Sequence, residues 1–551
     1  MIDLHLPIEI ISNVFQDKEE ISDFKAILKE IDPEQKIDIY YDRLKLQELF
    51  LNLNPQLFSS ENFRKILLNS NYKTNNFKRF SKDLGINDED ITESNKEKII
   101  KKTSSFLWGP NKETRSFITN FKLNESLIPS EFANNLEVED FPPAHEPYNE
   151  MFKYQSDIYH RALPLIKKYD QRFIIQVPTG GGKTKLAMEL VCNQLNSKND
   201  KKILWIADRK ELCEQATEAF EQIWRHKGKK KISLNRCWEK YNLISNIKGS
   251  TIIVASIDKV LSLKKKNVKI NADIIIFDEA HHASAKKYRS AIIFASKQGT
   301  RTIGLTATPG RSYNDEKENE ELSQMFDDTL LRILETKTQN GKKQGAIVYL
   351  QSMGILSKPI RKPEIIIPKL KKIFTSKELK KIENKTDYSL NDLEKIGKNH
   401  IRNITIIKKL IEIAKTGKQI LFFGTTVSQS KLMYAAMKHL GFSGAHIDGN
   451  TIPEFRRDSI NKFKNSKIQI LFNNQVLATG FDAPSVEVIF IARPTKSPVL
   501  LLQMIGRGMR GKNVGGTETF DLYYVKDGVF DNFQNLDELF EMFAVYFEED
   551  Q

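Results

Sequence analysis

Phe173-Ile174-Ile175-Gln176-Val177-Pro178-Thr179-Gly180-Gly181-Gly182-Lys183-Thr184-Lys185-Leu186-Ala187-Met188-Glu189-Leu190 runs from an apolar stretch through three glycines into a segment of helical composition. Read as strand, turn and helix, it is a phosphate cradle. Consecutive glycines let backbone N–H groups turn inward around a polyphosphate, and the following helix points its positive N-terminus at the same charge. Lys183 then reaches the β and γ phosphates as a mobile point charge, and the Thr184 hydroxyl is placed to ligate Mg2+. Val177 stands where the strict pattern has glycine.

Outward from this loop, short apolar runs alternate with helical segments, which implies parallel sheets with helices on both faces. The strands expected in a first sheet are Phe173 to Gln176, Ile203 to Ala207, Thr251 to Ser256, Ile274 to Phe277 and Thr302 to Thr306. A second series follows at Ile420 to Phe423, Ile468 to Phe472, Val486 to Ile491 and Phe520 to Tyr524. Ligands of such sheets sit at the carboxyl ends of the strands. There the chain places Asp278-Glu279-Ala280-His281 and Thr306-Ala307-Thr308. Asp278 and Glu279 close a fully apolar strand, so their carboxylates face a Mg-nucleotide: Asp278 to hold the ion, Glu279 to orient or deprotonate the attacking water.

Composition sets the outer bounds. The chain has 551 residues, 40% hydrophobic and 28% charged, which is globular composition. No apolar run approaches the roughly 20 residues of a bilayer span, and Met1-Ile2-Asp3-Leu4-His5 lacks the regions of a signal peptide, so a cytoplasmic protein is expected. Cys192, Cys213 and Cys237 form no C-x-x-C pair and read as reduced thiols in or near a core, with no structural zinc. His281 and His282 are adjacent, face different ways and lack a ligand cluster, so His281 reads as a hydrogen-bond relay between lobes. Residues 1–145 carry 19 Lys and Arg against 25 Asp and Glu, whereas residues 146–551 carry 66 against 46. The basic part is the part with the phosphate loop, and a polyanion is a plausible partner for it.

The order of Gly-Gly-Gly-Lys-Thr, Asp278-Glu279-Ala280-His281, Thr306-Ala307-Thr308-Pro309 and Gln503-Met504-Ile505-Gly506-Arg507-Gly508-Met509-Arg510 resembles a superfamily 2 DEAD/DEAH-box helicase over residues 147 to 530. Gln176-Val177-Pro178-Thr179, Gly480-Phe481-Asp482-Ala483-Pro484 and Arg493-Pro494-Thr495 look most like its type III restriction subunit-like branch, which includes RadD-type repair helicases. The resemblance implies two RecA-like lobes and use of ATP with Mg2+. It assigns Tyr154 and Gln155 to adenine recognition, because a Gln amide can pair with both donor and acceptor on the base edge. Arg209, with Glu211, Leu212 and Gln215, then resembles a nucleic-acid backbone contact, as does Ser256. Thr306 and Thr308 link the ATP site to the strand-binding face, or cap the next helix. Thr479, Gly480 and Asp482 match the motif that senses nucleotide and strand together. Thr425, after Phe422 and Phe423, matches a strand-end contact of the second lobe. Arg507 and Arg510 lie three apart, on one face if helical, and read with Gln503 as catalytic groups reaching across the cleft to the γ phosphate.

The domains expected are a helical accessory domain at 1–145 ending in the acidic linker Glu137-Val138-Glu139-Asp140, a first lobe at 146–312, a largely helical connector at 313–415, a second lobe at 416–530, and an acidic C-terminal helix at 531–551 packed on the second lobe. Helical spacing marks Ile21 to Leu28, Leu44 to Leu51 and Phe63 to Leu68. Three functions follow from the resemblance. The first is an ATP-dependent helicase or translocase on nucleic acid, DNA favoured over RNA, serving DNA repair or anti-phage defence. The second is a duplex-DNA translocase that never separates strands, and the third is an ATP-driven binding switch whose partner docks through residues 1–140.

Overall fold

The computed structural model describes residues 57–58, 60–109, 111–123, 125–128, 138–141, 150–239, 241–243, 249–282, 286–310, 316–334, 336–337, 343–367, 373–385, 387–451, 453–474, 477, 486–526 and 548–549. The helices expected at Ile21 to Leu28 and Leu44 to Leu51 lie outside them. Among the described residues no helix is long and apolar enough to cross a membrane.

Two parallel sheets organise the chain. The first takes strands β1 (Val138–Phe141), β2 (Arg172–Gln176), β3 (Lys202–Ala207), β4 (Ile232–Cys237), β5 (Thr251–Ser256), β6 (Ala272–Asp278), β7 (Ser296–Thr306) and β8 (Thr329–Leu331). Two short strands, β9 (Thr336–Lys337) and β10 (Lys343–Gln344), form an antiparallel pair between the sheets. The second sheet takes β11 (Lys358–Arg361), β12 (Ile365–Ile366), β13 (Ile420–Phe423), β14 (Gly444–Ile447), β15 (Ile470–Asn473), β16 (Val488–Ile491) and β17 (Thr519–Lys526). A last strand, β18 (Glu548–Glu549), returns to the first sheet. The spatial orders are β1-β4-β5-β3-β6-β7-β2-β8-β18 and β11-β17-β16-β13-β15-β14, with β12 also on β17. Every pairing within these two sheets is parallel except β1 with β4.

Three boundaries differ from the sequence reading. Glu137 to Asp140 is an acidic linker in the sequence, yet Val138–Phe141 pairs with β4 at the sheet edge. Edge pairing runs through backbone groups and tolerates charged side chains. The connector carries helices Glu316–Met325, Ala346–Ser352, Ser376–Glu383, Leu390–Gly397 and His400–Ala414, but it also gives strands to both sheets: β8 extends the first beyond residue 312, while β11 and β12 complete the second. Of the expected C-terminal helix, the described Glu548–Glu549 is a strand against β8.

Ahead of β1, the described part of the accessory domain, residues 57–128, is helical. Helices Glu61–Ser70, Asn75–Asp83 and Lys112–Asn120 start where Ser60, Thr74 and Asn111 side chains accept the N–H of Phe63, Thr74's third neighbour Phe77, and Thr114. Each such cap is worth about 1 kcal/mol. Gly85, at φ +73°, ends the second of these turns without a Cβ penalty. Phe58, Phe80, Phe106, Trp108 and Phe117 pack ring against ring, and the same apolar cluster continues into Phe422 and Phe472 of the second sheet. Within it Arg64 is buried and donates to the carbonyls of Phe58 (2.6 Å), Ser104 (3.0 Å) and Phe106 (2.7 Å). A planar guanidinium reaches all three; an ammonium cannot. Arg64→Lys is therefore expected to lower local stability by about 1–3 kcal/mol, seen as faster amide hydrogen exchange in helix Glu61–Ser70 of the full chain. Unchanged exchange would contradict the bridging role.

Candidate nucleotide site between the two sheets

The loop after β2 is shaped by close approach. Val177 is fully buried and donates its N–H to Thr306 O at 3.2 Å, and Gly181 N donates to Pro178 O at 2.9 Å. Gly180 and Gly182 sit at φ +86° and +74°, the left-handed region. A Cβ on Gly181 would stand 2.7 Å from Val177 Cγ1, and one on Gly182 would run into Gln155 Nε2. Gly182 caps helix Lys183–Leu195, whose first-turn N–H groups open toward the loop. This cradle, which side chains would fill, fits a polyphosphate.

Tyr154 and Gln155 reach this loop from behind. Tyr154 Oη donates to Gly181 O at 2.6 Å, and Gln155 Nε2 lies 3.3 Å from the carbonyls of both Gly181 and Gly182. Gln155 Oε1 in turn accepts Phe152 N at 3.0 Å. Both residues are buried, and burial pushes the Tyr154 phenol well above its usual range. The amide that the resemblance offers to adenine is thus spent on the loop backbone.

At the end of β6, Lys183 Nζ lies 3.3 Å from Glu279 Oε1 and 3.8 Å from Asp278 Oδ1. Burial pushes the Asp278 carboxyl up to about 6, against the pull of Lys183 and with the push of Glu279. Burial acts on Glu279 in the same direction, yet Lys183, His281 and Arg507 together hold it below its ordinary value. Glu279 also adopts φ +53°, a sparsely populated conformation for a side-chain-bearing residue. His281 Nδ1 stands 3.4 Å from Glu279 Oε2 and 3.2 Å from Thr306 Oγ1. Thr306 Oγ1 donates to Thr308 O at 2.8 Å and accepts Thr308 N at 3.0 Å. Glu279, His281, Thr306 and Thr308 thus form a continuous contact chain within the first lobe. Among the described residues no group of three His, Cys, Asp or Glu could hold a metal. Thr184 and Asp278 supply one hydroxyl and one carboxylate, a donor set that suits Mg2+, which keeps waters and substrate phosphates as its remaining ligands.

The second sheet contributes from above. Helix Pro498–Ile505 carries Gln503 and ends before the arginines, so Arg507 and Arg510 lie on a turn and not on one helical face. Arg507 Nε donates to Gln503 O at 3.3 Å, and its charge is among those that lower Glu279. Arg510 Nε donates to Val514 O at 2.6 Å. The lobes touch here: a Cβ on Gly506 would stand 2.6 Å from Thr179 Cβ, and one on Gly180 would stand 3.3 Å from Met509 O.

The expected strand contacts are dispersed. Arg209 precedes helix Lys210–Lys227 with its side chain 46% exposed, and Gln215 is half-buried on that helix. Ser256 accepts Lys259 N at 3.4 Å as a helix cap. Thr425 faces inward: fully buried, it donates to Ala492 O at 2.9 Å and accepts Arg402 Nη1 at 2.9 Å, so its hydroxyl offers no strand contact. Thr479, Gly480 and Asp482 lie outside the described residues. Sequence reasoning missed Arg402, and it missed Arg456, which pairs across the lobes with Glu211 while donating to Asp448 O at 2.9 Å. Neither arginine sits in a glycine-rich or acidic signature, and both are defined by partners distant in sequence. The three cysteines are buried free thiols, as expected.

Residues 149–311 match the family described as type III restriction enzyme, res subunit, and residues 402–512 match the helicase conserved C-terminal domain. A Saccharomyces cerevisiae protein named ATP-dependent helicase IRC3 is 29% identical over 370 residues, 65% of this chain and 49% of the relative. A protein of a Sulfolobus islandicus filamentous virus, named helicase 22, is 26% identical over 344 residues, 61% of this chain and 57% of the relative. The chain thus spans 49% and 57% of the lengths of these two relatives. The DNA-bound ATP-dependent type ISP restriction-modification enzyme LlaBIII shares the fold at a TM-score of 0.50 and 14% identity, covering 80% of this chain and 34% of that one.

The raised Asp278 carboxyl has a stability consequence. Its folded-state value of about 6 exceeds the ordinary 3.8, so the stability it contributes is full below 3.8 and lost as pH rises through 6. Asp278→Asn should therefore raise the melting temperature of the nucleotide-free chain at pH 7, by the equivalent of about 2–3 kcal/mol, with the gain over wild type vanishing toward pH 4. A gain independent of pH would contradict this cause.

Proposed function

We propose, on the premise that the chain carries both halves of a superfamily 2 helicase motor of the type III restriction subunit-like branch, that it couples ATP hydrolysis to movement along nucleic acid. The observation that carries the reading is the convergence of Lys183, Asp278 and Glu279 from the first sheet with Arg507 from the second at one phosphate-shaped loop. In this structure Lys183 is held by two carboxylates. When a triphosphate enters, the ammonium turns to the β and γ phosphates and Glu279 is released to orient water. Thr184 and Asp278 are the residues that would hold Mg2+, whose chemistry is to neutralise charge on the β and γ oxygens.

Arg507 is contributed by the other lobe, so transition-state stabilisation exists only when the lobes are together. Hydrolysis then becomes linked to lobe opening, and lobe opening to stepping. The relay from Glu279 through His281 to Thr306 and Thr308 carries the state of the phosphate toward the strand-binding side. Arg209 follows β3 and Ser256 ends β5, the side on which a strand backbone would run, with Gln215 on the helix after Arg209. Thr479, Gly480 and Asp482 keep the role that the resemblance gives them, sensing nucleotide and strand together. DNA is favoured over RNA because the first lobe matches a restriction-enzyme subunit, and repair or anti-phage defence is the matching role. The same match favours one second reading, a duplex-DNA translocase that does not separate strands. Residues 1–140 are the candidate docking module for a protein partner.

Steady-state ATP turnover with no polymer, single-stranded DNA, duplex DNA and RNA tests this. Stimulation by DNA is expected, with a loss of about 100-fold or more in Lys183→Ala. Turnover indifferent to every polymer would overturn the motor and leave the nucleotide-driven switch. Stimulation by duplex DNA without strand displacement would select the second reading.

A further inference from the structure

The segment joining the lobes lies outside both family matches, yet it touches the phosphate loop and the arginine turn together. Helix Ala346–Ser352 buries Ile347 and Leu350, and Leu350 Cδ1 stands 3.5 Å from where a Cβ on Gly181 would be. The chain then turns through Gly354, at φ +64°. Leu356, which follows, puts Cδ2 3.0 Å from the Cβ position of Gly180 and forms an antiparallel bridge with Arg510.

Ser357 is fully buried and every polar group it has is engaged. Its N–H donates to Met509 O at 3.1 Å, and its carbonyl accepts Gln351 Nε2 at 3.4 Å. Its hydroxyl donates to Arg510 O at 2.6 Å, beside the Thr517 carbonyl and 3.1 Å from Thr517 Oγ1. Gly511 N and Asn513 N donate to the carbonyls of Ile355 and Gly354, each at 2.9 Å. A Cβ on Gly511 would run into the Gly354 carbonyl, so the two segments meet backbone to backbone.

We propose that Ser357 is a positioning residue for ATP hydrolysis: through the backbone of Met509 and Arg510 it sets the arginine turn over the phosphate loop. This rests on the ATPase reading of the site. Arginines that act on the transition state must be placed within about 0.5 Å, and misplacement costs turnover more than ground-state binding. Ser357 is fully buried with its polar groups engaged by this chain's own backbone and side chains, so its effect must pass through Arg507 and Arg510. A hydroxyl serving the fold alone would instead lower all ligand affinities together.

The test compares binding of ADP with binding of ADP plus aluminium fluoride, both with Mg2+, to full-length wild type and Ser357→Ala. ADP affinity is expected to stay within about twofold, while affinity for the fluoride complex and kcat each fall about tenfold. Equal losses for both ligands, or no loss for either, would overturn the proposal. Wild type that binds no ADP would instead overturn the ATPase reading. Should Ser357→Ala fail to fold, Ser357→Cys keeps a side chain of similar shape and weakens the donor to the Arg510 carbonyl, and an unchanged preference for the fluoride complex in that variant overturns the proposal equally.

Discussion

The structure turns on one ammonium group held between two carboxylates, Asp278 buried and Glu279 partly so. Lys183 leaves the first turn of a helix whose N-terminus is already positive, and it meets Asp278 and Glu279 at the end of an apolar strand. Three charges in so little water are costly unless matched. The rise of Asp278 and the depression of Glu279 show how the mismatch is distributed. A triphosphate would compete with both carboxylates for the Lys183 ammonium.

What the first lobe lacks, the second supplies. Arg507 already acts on Glu279, Gly506 lies against Thr179, and Met509 against Gly180, so the cleft is closed over the loop. Glycines at Gly180 and Gly506 permit that approach because no Cβ intervenes. A second tie joins Arg456 to Glu211 at the cleft edge, on helix Pro453–Lys464, which also meets the Glu125–Leu127 turn of the accessory domain. The accessory domain thus packs on the element that bridges the lobes.

Much of this was legible in the sequence because parallel strands buried on both faces must be apolar throughout. Thr251 to Ser256 and Ile420 to Phe423 coincide with β5 and β13, and the glycine loop stands where the pattern placed it. Two strands near the sheet margins escaped. Ile232–Cys237 carries Asn235 and Arg236, and Gly444–Ile447 is four residues with a histidine, so neither shows a continuous apolar run. The connector's helices follow its Lys- and Glu-rich composition, but its strands did not show, because β11 is fixed by pairing with β17, far along the chain. Ser357 was invisible for the same reason: its partner Arg510 is 153 residues away. Tyr154 and Gln155 were found by resemblance, but their contact with the loop carbonyls is a property of packing that no motif states.

The central claim is that the phosphate loop of one lobe and the arginine turn of the other form a single site. A structure of the chain with ADP, beryllium fluoride and Mg2+ tests it most directly. The account predicts Lys183 Nζ withdrawn from Glu279 and hydrogen-bonded to the fluoride group, with the Arg507 guanidinium on the same group. A nucleotide bound with Lys183 still on the carboxylates, or with Arg507 turned away from it, would contradict the account.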